Sequence, residues 1–201
     1  MEFWFDFAST YSYVAAGRIE ALARAAGVEV AWRPFLLGPI FQKQGWSDSP
    51  FNLYPAKGAY MWRDVERLCQ GNGLPFQRPS VFPRNSVRAA RIALLGAEAA
   101  WGPGFVQAVY RANFGDDRDI GNPELLVALV DEQGVDGREV IAQAESPERK
   151  PRLREQTERA QQLGIFGAPT FVVGSELFWG SDRLEHALEL AARHRGLGSL
   201  R

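Results

Sequence analysis

The chain has 201 residues, 46% of them hydrophobic and 12% aromatic, enough for one large domain or for one domain carrying an insertion. A formal net charge of −1 excludes an electrostatic footprint for nucleic acid or an anionic membrane, and no apolar run reaches the length of a membrane span. Cys69 is the single cysteine, which excludes an intrachain disulfide, dithiol exchange within the chain and a cysteine-built metal cluster.

Met1 and Glu2 run straight into an aromatic stretch with no basic region, which reads as no signal peptide. Phe3, Trp4 and Phe5 are strand formers in a run too short for a helix. After Asp6, Phe7, Ala8 and Ser9, apolar residues recur at helical spacing through Val14, Ile19, Leu22 and Ala23. This predicts strand, tight turn and helix, with Ser9 at the helix start and Gly27 as its stop. Residues 28–33 alternate and predict a second strand ended by Pro34, so the first 35 residues form a parallel βαβ unit. Residues 35–55 read as irregular, broken by Gly38-Pro39, Gly45 and Ser49-Pro50.

Helices are predicted over 60–70, with Met61, Val65, Leu68 and Cys69 on one face, and over 86–99, with Val87, Ala90, Leu94 and Ala97. Another covers 104–113. Asn122 caps a helix that has Pro123 at its first position and stops at Gly134. A charged helix runs over 146–163. Residues 170–173 and 176–179, joined by Gly174 and Ser175, predict a hairpin. A last helix starts at Ser181 with Asp182 and Glu185 at capping-box spacing, and the tail after Arg195 reads as frayed. This order predicts an α/β thioredoxin-like fold: residues 1–37 and 162–201 build a small mixed sheet, and 38–161 form a large all-helical insertion.

Four clusters could carry chemistry. Ser9 to Ser12 stands where redox thioredoxin folds carry Cys-x-x-Cys; it either caps the helix or holds an anion such as a thiolate in the field of the helix start. Residues 164–170 read as a loop into a strand, and a cis bond before Pro169 would present the Ala168 backbone to an extended peptide ligand. Gly180, Ser181, Asp182 and Arg183 form a helix cap or a seat for an α-amino acid head group. Asn52, Lys57 and Asn85 read as loop polar residues, with Asn85 also a helix N-cap candidate.

Together, residues 5–13, 164–170 and 179–184 resemble the 2-hydroxychromene-2-carboxylate isomerase family, close to kappa-class glutathione transferases within the DsbA-like thioredoxin superfamily. The resemblance covers nearly the whole chain and implies glutathione as cofactor. Ser9 would hold its sulfur, Ala168 and Pro169 its cysteinyl part, Ser181 and Asp182 its γ-glutamyl head, and Asn52 and Lys57 its other polar groups. Tyr11, Arg84, Asn85 and Arg88 are candidates for binding an aromatic carboxylate substrate. The implied reaction interconverts 2-hydroxychromene-2-carboxylate and trans-o-hydroxybenzylidenepyruvate. Alternatives are a kappa-like transferase and a glutathione- or peptide-binding module without turnover. A homodimer and a cytoplasmic location are expected on the same resemblance. Thr10 departs from the proline that many relatives carry after the serine.

Overall fold

A computed structural model of the protein describes residues 1–198, with side chains as far as residue 194. Its centre is β1 (Glu2–Phe5), which lies in a four-stranded sheet with β2 (Ala31–Pro34), β3 (Thr170–Val173) and β4 (Glu176–Trp179), in the order β2–β1–β3–β4. β1 pairs in parallel with β2 and antiparallel with β3, and β3 pairs antiparallel with β4. The run of three aromatics follows from this position, because an inner strand is covered on both faces. Successive side chains alternate, so Phe3 and Phe5 enter the main core while Trp4 enters a smaller one with Phe35, Ile40, Ala160, Ile165 and Val172. Phe3 stands opposite Trp32 on one side and Phe171 on the other, with ring centroids at 5.2 and 5.4 Å.

The first helix, α1 (Thr10–Ala25), starts at Ser9 and stops at Gly27, whose φ of 65° favours glycine. Between β2 and β3 come α2 (Leu37–Lys43), α3 (Pro50–Leu53), α4 (Pro55–Gly71), α5 (Val87–Gly96) and α6 (Gly102–Tyr110). A π-helical turn (Arg111–Gly115), α7 (Pro123–Asp131), α8 (Gly137–Ala144) and α9 (Lys150–Gln162) complete that region. A 3-10 turn (Ser181–Arg183) leads into α10 (Leu184–Gly198). One core joins β1 and α1 to residues of α4, α5, α6, α7 and α10, so these helices share their interior with the sheet. Among the described residues no helix is long and apolar enough to cross a membrane.

Several expectations need correction. Residues 35–55 are not irregular throughout, since they form α2 and α3 with Ile40 buried. α4 begins at Pro55, and α8 was not anticipated; it is capped by Asp136, whose side chain accepts from the Glu139 N–H. The inward face of α5 is Ala89, Ala90, Ile92, Ala93 and Gly96, while Val87 and Leu94 are half-buried. The small residues matter there: a Cβ on Gly102 would meet the Gly96 carbonyl at 2.0 Å, so α5 and α6 meet backbone to backbone. Residues 146–149 are a turn and α9 starts at Lys150. The capping box at Asp182 and Glu185 does not form, because Asp182 pairs with Arg183 at 3.0 Å and Glu185 pairs with Arg18. The frayed tail was expected from residue 196; the backbone is helical to Gly198, and 199–201 lie outside the described residues.

Phe171 is fully buried against Phe3, so Phe171→Ala should destabilise the fold by about 3–5 kcal/mol in urea unfolding, as large-to-small changes in a core do.

Candidate functional site

The turn between β1 and α1 is fixed by one side chain. Asp6 is 3% exposed, and its Oδ1 accepts the Ala8 N–H at 2.9 Å and the Ser86 hydroxyl at 2.8 Å. Its Oδ2 accepts the Leu37 N–H at 2.8 Å, which ties the first residue of α2 to the turn. The Asp6 carbonyl accepts the Ser9 N–H and the Tyr110 hydroxyl, each at 2.9 Å. Asn113 donates its amide to the Phe7 carbonyl at 2.9 Å. Burial pushes the Asp6 carboxyl above its ordinary range, and the three donors pull the other way without cancelling it.

Ser9 is the N-cap of α1. Its Oγ accepts the Ser12 N–H at 3.2 Å and donates to the Ala168 carbonyl at 3.0 Å. Capping is therefore present, and the same hydroxyl also reaches a loop 159 residues further along the chain. The first turn of α1 carries no acidic residue, so nothing within it offsets the positive end of the helix dipole. Thr10 takes the first helical position and turns its hydroxyl inward to the Met61 sulfur at 3.2 Å.

The partner loop is held from β4. The Ala168–Pro169 bond is cis, and the Pro169 carbonyl accepts the Gly180 N–H at 2.9 Å. Gly180 has φ 112°, a conformation that favours glycine, and it starts the 3-10 turn in which Ser181 is buried and Asp182 exposed. The Ser181–Arg183 turn packs against α1. Ser9 and Ala168, far apart in sequence, are thus brought together at the start of α1, and the turn that begins at Gly180 is tied to the neighbouring Pro169.

The other candidates lie around this centre or away from it. Tyr11 donates its hydroxyl to Asp64 at 3.0 Å, and burial with that carboxylate pushes its phenol upward. Asn52 donates to the Phe82 carbonyl at 3.3 Å and to Asp48 at 3.0 Å, two residues that line a groove together with Ala8. The Lys57 ammonium sits over the Tyr54 ring at 5.0 Å. Asn85 accepts the Val87 N–H at 3.0 Å, a local cap for α5. Arg84 is 8% exposed, and its guanidinium is occupied by Asn113, Ser80 and Asp117. Arg88 is engaged with Glu145 and the Gly121 carbonyl. Both arginines are thus held by acceptors within the chain, Arg84 buried and Arg88 with its side chain one third exposed. Asp6, Ser86, Tyr110 and Asn113, which hold the turn, were not singled out from sequence; the one local signal was a carboxylate inside an aromatic run.

A family model described as a DSBA-like thioredoxin domain matches residues 1–191. The chain belongs to this family. This DSBA-like chain is 33% identical over 189 residues to a 2-hydroxychromene-2-carboxylate isomerase from Pseudomonas putida, covering 92% of this chain and 90% of the relative. It is 25% identical over 201 residues to glutathione S-transferase kappa 1 from Homo sapiens, covering 92% and 87%. A solved structure of a 2-hydroxychromene-2-carboxylate isomerase superposes with a TM-score of 0.87 at 26% identity, covering 100% of this chain and 98% of that one. The relatives support an enzyme of the isomerase or glutathione-transferase kind, on the thioredoxin-like fold with added helices that the sequence predicts.

The raised carboxyl of Asp6 has a consequence for stability. An unfolded aspartate titrates near pH 3.9, so the native state holds the proton more tightly over the window above that value. Stability from this group is present below about pH 3.9 and is lost as pH rises through the folded pKa. Asp6→Asn should remove that slope, seen as a flatter dependence of urea-unfolding free energy on pH from about 4 upward.

Proposed function

We propose that the protein is a glutathione-dependent isomerase of an unsaturated aromatic compound, with Ser9 holding the thiolate. The observation that carries this is the Ser9 hydroxyl, which receives the Ser12 N–H and delivers its own hydrogen to Ala168 at the start of a helix. Accepting one hydrogen bond strengthens a hydroxyl as a donor of the next. The Ser9 hydroxyl hydrogen, directed at the Ala168 carbonyl, can rotate to a sulfur anion without the serine leaving its capped position.

The residues fit glutathione in kind. The Ser9 hydroxyl at a helix start would hold the sulfur, the Ala168 backbone before a cis proline would meet the cysteinyl part, and the exposed Asp182 carboxylate offers an acceptor for an ammonium. Glutathione held there would supply a nucleophilic thiolate that could add reversibly to an unsaturated carbon and so free a double bond to rotate. The protein's part is to keep that sulfur ionised near neutral pH. Lowering a thiol pKa by two units requires about 2.7 kcal/mol of preference for the anion. A hydrogen bond to a charged group contributes about 1.5–3 kcal/mol, and a helix terminus about 0.3–1 kcal/mol. Ser9 acts here as a thiolate stabiliser and not as a nucleophile.

A kappa-like transferase is the second reading, favoured by the kappa relatives. It uses the same Ser9 site and differs in fate: the isomerase returns glutathione, the transferase keeps it in a thioether product.

Titration of glutathione into wild type and Ser9→Ala, with thiolate absorbance followed across pH, tests the shared site. The wild type should bind saturably with a depressed thiol pKa, and Ser9→Ala should raise the bound pKa by about one to two units. Unchanged values in the variant, or no binding in wild type, would remove the basis of the proposal. Glutathione consumed per turnover then separates isomerase from transferase.

A further inference from the structure

β4 is an edge strand with β3 as its one partner, and its two faces are covered unequally. Phe178 packs into the main core on the side of α10. Leu177 and Trp179 point to the other face, across from Val172 and Thr170 of β3. There the smaller core, with Ala160 of α9 and Ile165, covers β1 and β3 but includes no residue of β4. Leu177 is 37% exposed and Trp179 55%. Phe166, also exposed, meets the Trp179 ring at 4.9 Å between centroids, and the Leu177 side chain passes close to Gly164. A Cβ on Gly167 would meet the Trp179 indole nitrogen at 2.4 Å, so the indole is seated against the loop on one side and bare on the other. Contiguous exposed apolar side chains of this size mark an interaction surface.

The backbone of β4 is open at the same edge. Gly180 donates to the Pro169 carbonyl at 2.9 Å, which makes that pair a hydrogen-bonded position of the ladder. Antiparallel positions alternate, so Phe171 with Phe178 and Val173 with Glu176 are hydrogen-bonded positions too. Leu177 and Trp179 therefore direct their N–H and C=O groups away from β3, where no other strand lies among the described residues. One symmetric arrangement with a second β4 satisfies both residues within the strand: antiparallel, with the two-fold axis at Phe178. Leu177 then stands opposite the partner's Trp179, and Trp179 opposite the partner's Leu177, each pair exchanging two hydrogen bonds. Both pairs lie on the bare face, so each indole is covered by a leucine of the other copy. Glu176, the one charge in the strand, lies opposite the partner's Gly180. The two glutamates stand about 13 Å apart along the strands, beyond the roughly 8–10 Å over which exposed charges act.

We infer that β4 pairs with the β4 of a second copy of this chain, antiparallel about Phe178, and joins the two sheets into one. A homodimer as such leaves the surface open; the free edge and the bare face of β4 select it, and self-pairing sets apolar against apolar with the charges held apart. Fully covered aromatic side chains bury about 150–250 Å² each, so half-exposed Phe166 and Trp179 supply roughly 150–250 Å² together, to which Leu163, Leu177 and the strand edges add. That centre is small against the about 800 Å² a standard interface takes from each partner, so the dimer should dissociate on dilution. Phe166 is two residues before Ala168, and a partner that covers Trp179 also braces the loop that receives the Ser9 hydroxyl. The pairing follows from the fold and stands or falls apart from glutathione binding.

The test is sedimentation equilibrium of the full chain over a dilution series, with Trp179→Glu and Leu177→Lys beside it, and oxidative cross-linking of Phe178→Cys. The wild type should be a dimer that dissociates on dilution. Trp179 and Leu177 are exposed, so both charged variants should keep the monomer folded, with melting curves recorded as the check. Each should weaken association at least about hundredfold, because every dimer carries the change twice. Across an axis at Phe178 the two Cα atoms would lie about 4.5 Å apart, within reach of a disulfide. Phe178→Cys should therefore link to its own copy on mild oxidation and Glu176→Cys should not, while Cys69 is buried and adds no background. A wild type that stays monomeric up to about 1 mM overturns the inference and leaves the edge to an extended peptide of another protein. A dimer untouched by both charged variants, or one that links through Glu176→Cys and not through a folded Phe178→Cys, overturns it as well.

Discussion

The arrangement at the start of α1 depends on a carboxylate that is out of water. Asp6 accepts hydrogen bonds from the turn, from α2 and from the residue before α5, and its own carbonyl receives the last residue of α6. A buried carboxylate is tolerated only when its lone pairs are met by donors, so each of those segments has its position relative to β1 set by the same group. The helices between β2 and β3 are in this way fastened to the turn that presents Ser9, in addition to sharing the sheet's core. The serine is placed from both sides, since the turn fixes its N–H and α1 and the cis-proline loop fix its hydroxyl.

Much of this could be read locally. β1, the parallel β1–α1–β2 order, the 170–179 hairpin, the Ser9 and Asn122 caps and the Gly27 stop each follow from a few neighbouring residues and are found, but the second strand runs over Ala31–Pro34 instead of 28–33 and includes the proline expected to end it. The segments that were missed, α2, α3 and α8, are short: α2 contains Pro39, α3 has four residues starting at Pro50, and α8 starts at Gly137, so none shows a long helical repeat of apolar residues. The inward face of α5 was misjudged because small residues, not large ones, mark a close helix–helix contact.

The site was legible in part for a similar reason. Ser9, Ala168 and Ser181 stand at local boundaries where strand meets helix, so their positions had local signals. The partners of Asp6 lie 31 and 80 residues away, and no spacing rule connects Asp6 to Leu37 or Ser86. Arg84 and Arg88 carry the right chemistry for an anionic substrate, and only the three-dimensional arrangement shows that internal acceptors hold them.

The register of β1 also sets an order of events during synthesis. β2 follows β1 within 30 residues, but the opposite edge of β1 pairs with β3, and Phe3 meets Phe171 only after a further 168 residues have been made. At ribosomal speeds of about 5–20 residues per second, that edge stays open for roughly ten to thirty seconds. An aromatic strand with an unpaired edge is a template for wrong pairings, so the nascent chain is most exposed to aggregation before residues 170–173 emerge to cover it. The contact between Ser9 and Ala168 spans the same interval, so the hydroxyl gains its final partner among the last contacts to form.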